Sequence, residues 1–175
     1  MTDRATVAAV VEAYLAESGH DWEPGARDDE FVVTLPAERK LTTVASVVVS
    51  DTALSVSAFV IRNPDENHDE VYRFLLRRNL RLPGLAYAVD RSGDVFVTGR
   101  IPSAGVDAET LDQLLGVVLT AADEPFNELL VMGFLSSMRK EWEWRVSRGE
   151  SLRNLEAFRS ILARPGDPGP PEPPA

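Results

Sequence analysis

The chain reads as an α+β protein in which an antiparallel sheet packs against helices. Three observations predict this. Segments rich in β-branched or alternating residues come as hairpins joined by short turns, where a parallel sheet would alternate strands singly with helices. Around the hairpins, apolar residues recur at helical spacing. The composition, 44% hydrophobic and 26% charged over 175 residues, is that of an ordinary globular chain long enough for one sizeable core. The expected order is α-βββ-α-ββ-α(α)-α, with residues 1–164 forming one domain and a proline-rich tail, disordered or extended, over 165–175.

Thr2 is the expected N-cap of the first helix, with Asp3 in its first turn; Val7, Val10, Val11 and Tyr14 share one side, and Gly19 ends the run. The next residues, His20 to Glu30, are acidic and turn-rich. Three strands follow, at Phe31–Leu35, Thr42–Val49 and Leu54–Ile61, the last alternating Leu54, Val56, Ala58 and Val60 with serines as a sheet buried on one face requires. Asn63-Pro64 breaks the third strand.

A helix is expected next, capped by Asp65 or Asn67, with Asp69 and Glu70 near its positive end and Pro83-Gly84 stopping it. A second hairpin pairs Leu85–Val89 with Val95–Thr98 across a turn in which Gly93 supplies positive φ. Asp107 caps a strongly amphipathic helix, the chain kinks or restarts at Asp123-Glu124-Pro125, and a long helix runs on through Phe134. Ser151 is the expected cap of a last amphipathic helix.

The chemistry open to the chain is narrow. It has no cysteine, so disulfides, thiol nucleophiles and cysteine-zinc sites are excluded. Its two histidines, His20 and His68, lie in separate polar segments, and no phosphate-binding loop or nucleophile elbow is present. We therefore expect no catalytic residue, no cofactor and no metal. A formal net charge of -10 makes nucleic acid an improbable partner. No apolar run approaches the roughly 20 residues of a membrane span, and no secretory leader is visible, so a cytoplasmic protein is expected. The charge is uneven: residues 1–30 hold eight acids and two bases, residues 139–164 seven bases and four acids, a polarity suited to contact between the two ends or between subunits.

Two features remain as candidates for binding. Arg73, Arg77, Arg78 and Arg81 crowd the central helix, and guanidinium groups take carboxylates and phosphates bidentately. Solvated pairing with the chain's own acids is the competing reading. Along the later helix, Trp142 continues the apolar stripe, whereas Trp144 lies about 200° away, either stacked on Arg148 one turn later or tucked beneath the last helix.

The run F-V-I-R-N-P-D-E-N-H-D-E-V-Y-R-F-L-L-R-R-N at 59–79 resembles the actinobacterial branch of the YbjN domain family. So do L-R-L-P-G-L-A-Y-A-V-D at 80–90, G-D-V-F-V at 93–97 and E-L-L-V-M-G-F-L-S-S-M-R-K-E-W at 128–142. The family is labelled as bacterial sensory transduction regulators. The resemblance spans roughly residues 5–163 and implies a fold similar to the class I type III secretion chaperones, dimers that bind extended segments of partner proteins without catalysis. It implies no catalytic residues. The expected function is a non-catalytic protein-interaction module, chaperone-like or a regulatory adaptor, contacting a protein partner through Arg73, Arg77, Arg78, Arg81, Trp144 and Arg148, with the choice between monomer and homodimer left open by the sequence. The alternative is a regulator acting on DNA or on a small anionic ligand.

Overall fold

The computed structural model describes residues 3–169. Helix α1 (Arg4–Ser18) opens the chain and is followed by four strands, β1 (Asp21–Pro24), β2 (Glu30–Pro36), β3 (Thr42–Val49) and β4 (Ala53–Ile61). Helix α2 (His68–Asn79) leads into the hairpin β5 (Leu85–Val89) and β6 (Val95–Pro102). Helices α3 (Ala108–Asp123) and α4 (Phe126–Arg148) come next, then a 3-10 segment over Arg153–Phe158 and the single turn α5 (Arg159–Leu162). All strands join one antiparallel sheet in the order β1-β2-β3-β4-β6-β5. The fold is α+β, as the hairpin pattern predicts, with one strand more than expected.

That extra strand is β1. Asp21, Glu23 and Pro24 give it poor β-propensity, yet its register against β2 runs from Asp21 opposite Thr34 to Pro24 opposite Phe31. Trp22 packs its ring 5.6 Å from that of Phe31, so one aromatic contact anchors an otherwise polar edge strand. Other boundaries shift in ways with local causes. Asp3, not Thr2, is the N-cap of α1, its carboxylate accepting the Thr6 N–H at 2.7 Å; Thr2 lies outside the described residues. The last helix is mostly 3-10, with the Ser151 hydroxyl accepting the Arg153 N–H, and Leu152, Leu155, Phe158 and Leu162 buried as the apolar pattern requires.

One face of the sheet carries the core. Val33 and Leu35 of β2, Ala45, Val47 and Val49 of β3, and Val56, Ala58 and Val60 of β4 are buried beneath α1 and α3. Each large apolar side chain fully buried there contributes about 1.5–3 kcal/mol. Along β3 the alternate residues Val44, Ser46 and Val48 are partly or fully exposed on the other face. Trp142 of α4 is 1% exposed and its indole N–H donates to Asp167 at 2.7 Å, with Arg159 stacked on the ring. Arg159 also donates to the carbonyls of Pro168 and Gly169, so Asp167 is tied to α4 and the two residues after it to α5; residues 170–175 of the proline-rich segment lie outside the described residues. The acidic and basic ends of the chain form no ion pair with each other among the described residues: Arg4 pairs with Asp29, Arg145 with Glu141, Arg159 with Glu156 and Arg164 with Glu143.

Candidate functional site

Helix α2 is held at both ends by neighbouring elements. At its N-terminus the segment Arg62–Asn67 is clamped onto the middle of α4. The N–H groups of Asp65 and Glu66 both donate to the Gly133 carbonyl, at 2.9 and 3.2 Å. Asn67 takes a left-handed conformation (φ 54°), and its side chain donates to the Met132 carbonyl at 2.9 Å, so it occupies the N-cap position of α2 with its carbonyl accepting the Val71 N–H but its side chain turned away from the helix. Glu66 accepts from the Ser136 N–H and hydroxyl, and Asp65 from the Ser137 hydroxyl. Asp65 also takes a bidentate contact from Arg62, which together with Ser137 holds its carboxyl down to about 2. Arg62 lies over the Phe134 ring at 4.4 Å.

At the other end of α2, Asn79 presents its side-chain amide to the edge of β5, accepting the Tyr87 N–H at 2.7 Å and reaching the Tyr87 carbonyl at 3.4 Å. The Tyr87 hydroxyl in turn donates to the Ala121 carbonyl of α3 at 2.7 Å, and burial pushes the phenol up against the opposing pull of Arg78. Tyr87 thus sets the spacing of α2 from α3.

Between those helices lies an open groove of about 1600 Å³. One wall is α2 and the turn after it, with Arg73, Phe74, Arg77, Arg78 and Arg81. The opposite wall is one side of α3, namely Gln113, Gly116, Val117 and Thr120, at spacings of three and four residues. Glu124, at the end of α3, and Glu128 and Met132 of α4 close it. Arg78 bonds Glu124 at 2.5 Å and stacks on Phe74; burial opposes its charge, but the Tyr87 hydroxyl and Glu124 raise the guanidinium above its ordinary value. Among the described residues Arg73, Arg77 and Arg81 have no carboxylate within 4.0 Å, and neither do Asp69, Glu70 or Glu128 have a base that close.

The structure therefore brings the four arginines to one groove and splits them by role. Arg81 is a correction: it lies beyond α2, which ends at Asn79, because Leu80 and Arg81 turn toward Pro83. Arg78 is the one that follows the paired reading. Trp144 and Arg148 are elsewhere, on the second half of α4, where Trp144 is 47% exposed with the Arg148 guanidinium 5.1 Å from its ring. The α3 wall went unread in the sequence. Its signal was Gly116, a glycine in the middle of a helical run, which costs about 1 kcal/mol relative to alanine. A Cβ built there meets nothing within 4 Å, so no internal packing calls for the glycine.

The YbjN family model, described as "Putative bacterial sensory transduction regulator", matches residues 8–130. The chain belongs to the YbjN family. Among YbjN relatives, it is 51% identical over 137 residues to an uncharacterised protein of Mycobacterium leprae, covering 78% of this chain and 74% of that one. It is 50% identical over 135 residues to an uncharacterised protein of Mycobacterium tuberculosis, covering 77% and 74%. In fold this YbjN domain is similar to type III secretion chaperones. The ExsC–ExsE complex matches with a TM-score of 0.54 at 18% identity, over 74% of this chain and 97% of that one. The ExoU–SpcU complex of the Pseudomonas aeruginosa type III secretion system matches at 0.52 and 17%, over 71% and 98%. The Yersinia pestis chaperone SycH, bound to a fragment of YscM2, matches at 0.51 and 17%, over 67% and 97%. The clamp on α4 at residues 132–137 lies just past the part of the YbjN domain that the family model matches. No described helix is long and apolar enough to cross a membrane.

Proposed function

We propose that this YbjN protein is a non-catalytic protein-interaction module, a chaperone-like or regulatory adaptor, and that its binding face is the groove between α2 and α3. The observation that carries this reading is the groove itself, in which three unpaired arginines stand above an apolar floor of Phe74, Val117 and Met132. Its volume exceeds the roughly 300–1,000 Å³ of small-molecule sites, and it is open along its length, which favours a polypeptide. Nucleic acid is disfavoured because the lining holds four acids (Asp69, Glu70, Glu124, Glu128) against four arginines. The solved structures of similar fold, each a complex of two proteins, support the same class of activity.

Affinity purification from the native host tests it. A partner retained by the unaltered chain should be lost with Arg77→Glu and Arg81→Glu, while the fold remains intact by circular dichroism. Retention of the same partners by both variants would remove the groove from consideration and leave Trp144 and Arg148 as the surface to test.

Self-association is a second reading, favoured by Leu76 and Leu80 of α2 and its C-terminal turn, which are 65% and 86% exposed one helical turn apart. Light scattering should then show a dimer that Leu76→Glu dissociates.

A further inference from the structure

We infer that the occupant of the groove is an amphipathic helix of a partner protein, about three turns long, running antiparallel to α2 with acids in its first turn and bases in its last. This deepens, and rests on, the reading of the groove as a protein-binding face.

Three features specify a helix and its direction. The first is backbone supply. An extended segment gains affinity by pairing with a free strand edge, and the strand beside the groove offers none at its centre, because the Tyr87 N–H and carbonyl are taken by Asn79. A helix satisfies its own backbone and needs no such edge. The second is Gly116. It stands exposed in the α3 wall with open space where a side chain would be, flanked one turn away on each side by Gln113 and Thr120. A bare backbone at that point admits close approach of a second helix. A cylinder of helical diameter filling about 1600 Å³ is roughly three turns long, which matches the reach from Asp69 to Arg81.

The third is the order of charge. Asn67 at the start of α2 bonds Met132, and Arg78 near its end bonds Glu124, so α2 and the first turns of α4 run antiparallel along the groove. Unpaired Asp69 and Glu70 stand at one end and unpaired Arg77 and Arg81 at the other. An antiparallel helix with an acidic first turn and a basic last turn meets both ends with opposite charge, and that distribution also suits its own macrodipole. The opposite orientation places like charges together at both ends, which electrostatic complementarity penalises.

The test uses two fluorescein-labelled peptides of about 12 residues with one composition and one apolar face, both hydrocarbon-stapled so that helicity does not decide the outcome. One has glutamates first and lysines last; the other is reversed. The first should bind the full-length protein roughly tenfold tighter, and Arg77→Glu/Arg81→Glu, which makes both ends of the groove acidic, should erase that preference. Gly116→Leu should abolish binding of both while raising Tm by a few degrees, since it improves the helix as it fills the groove. Equal affinities would overturn the inference, as would an unstapled, proline-interrupted peptide that binds as well as the helix. So would the absence of amide shifts at Gly116 and Val117 on titration, or a dimer in which a second copy already covers those amides. If the peptides fail while host-partner capture stays sensitive to Arg77→Glu, the inference falls and the groove reading stands; if capture is insensitive too, both fall.

Discussion

Asp123 sits buried at the end of α3, where three successive peptide N–H groups converge on its carboxylate. Glu38, Arg39 and Lys40 donate to it at 3.1, 2.9 and 2.7 Å, and the Lys40 ammonium reaches on to the Phe59 carbonyl at 2.7 Å. The loop between β2 and β3 is thereby tied to α3 and to β4. Asp123→Ala leaves those donors without their charged acceptor and should cost about 2–3 kcal/mol in urea unfolding. Gly133 is another residue whose identity is set by its surroundings. A Cβ there stands 3.0 Å from Pro64 and 3.5 Å from Val71, so the clamp depends on the missing side chain. Gly133→Val should cost about 1–3 kcal/mol by overpacking and weaken partner binding, because it displaces the start of α2.

Among the elements, the edge strand β5 is protected by a side chain that imitates a neighbouring strand. Asn79→Ala should release the Tyr87 amide, raising its hydrogen-exchange rate at least roughly tenfold relative to Val97 on the paired strand, and should increase self-association through the exposed edge. Local sequence announced most elements well, because hairpin alternation, the Asp107 cap and the Pro125 restart each act within a few residues. It failed where a distant contact decides. β1 exists because β2 pairs with it and Trp22 packs on Phe31; within D-W-E-P only Trp22 favours a strand. The arginines were legible as a cluster, but their partition was not, since Glu124, which neutralises Arg78, is 46 residues away. Trp144 stacked on Arg148 was legible, because both lie on one turn of one helix.

At the scale of the whole molecule, acid sensitivity follows from carboxylates that work as clamps. Asp65 is lowered to about 2 by Arg62 and Ser137. Glu66 is lowered by its bonds to Ser136, and Asp123, which burial alone would raise, is lowered by its three backbone donors. A depressed folded-state pKa adds stability that is fully present above the unfolded value, near 3.8 for aspartate, and is lost as pH falls through the folded one. Unfolding midpoints should therefore be flat from neutral pH to about 5 and fall steeply between about 4 and 2. Asp65→Asn should lower stability at pH 7 and make that fall shallower.

The same clamp sets an order of events during synthesis. Residues 62–67 leave the ribosome long before their partners at 132–137. Until then α2 has its Asn79 anchor at one end and nothing at the other, and the groove has only one fixed wall. A chain truncated at residue 130, where the family model stops, would retain every strand yet lack the Met132, Gly133, Ser136 and Ser137 contacts. On the proposed reading of the groove, the nascent protein becomes competent for a partner only after the middle of α4 has emerged, so binding waits until both ends of α2 are anchored.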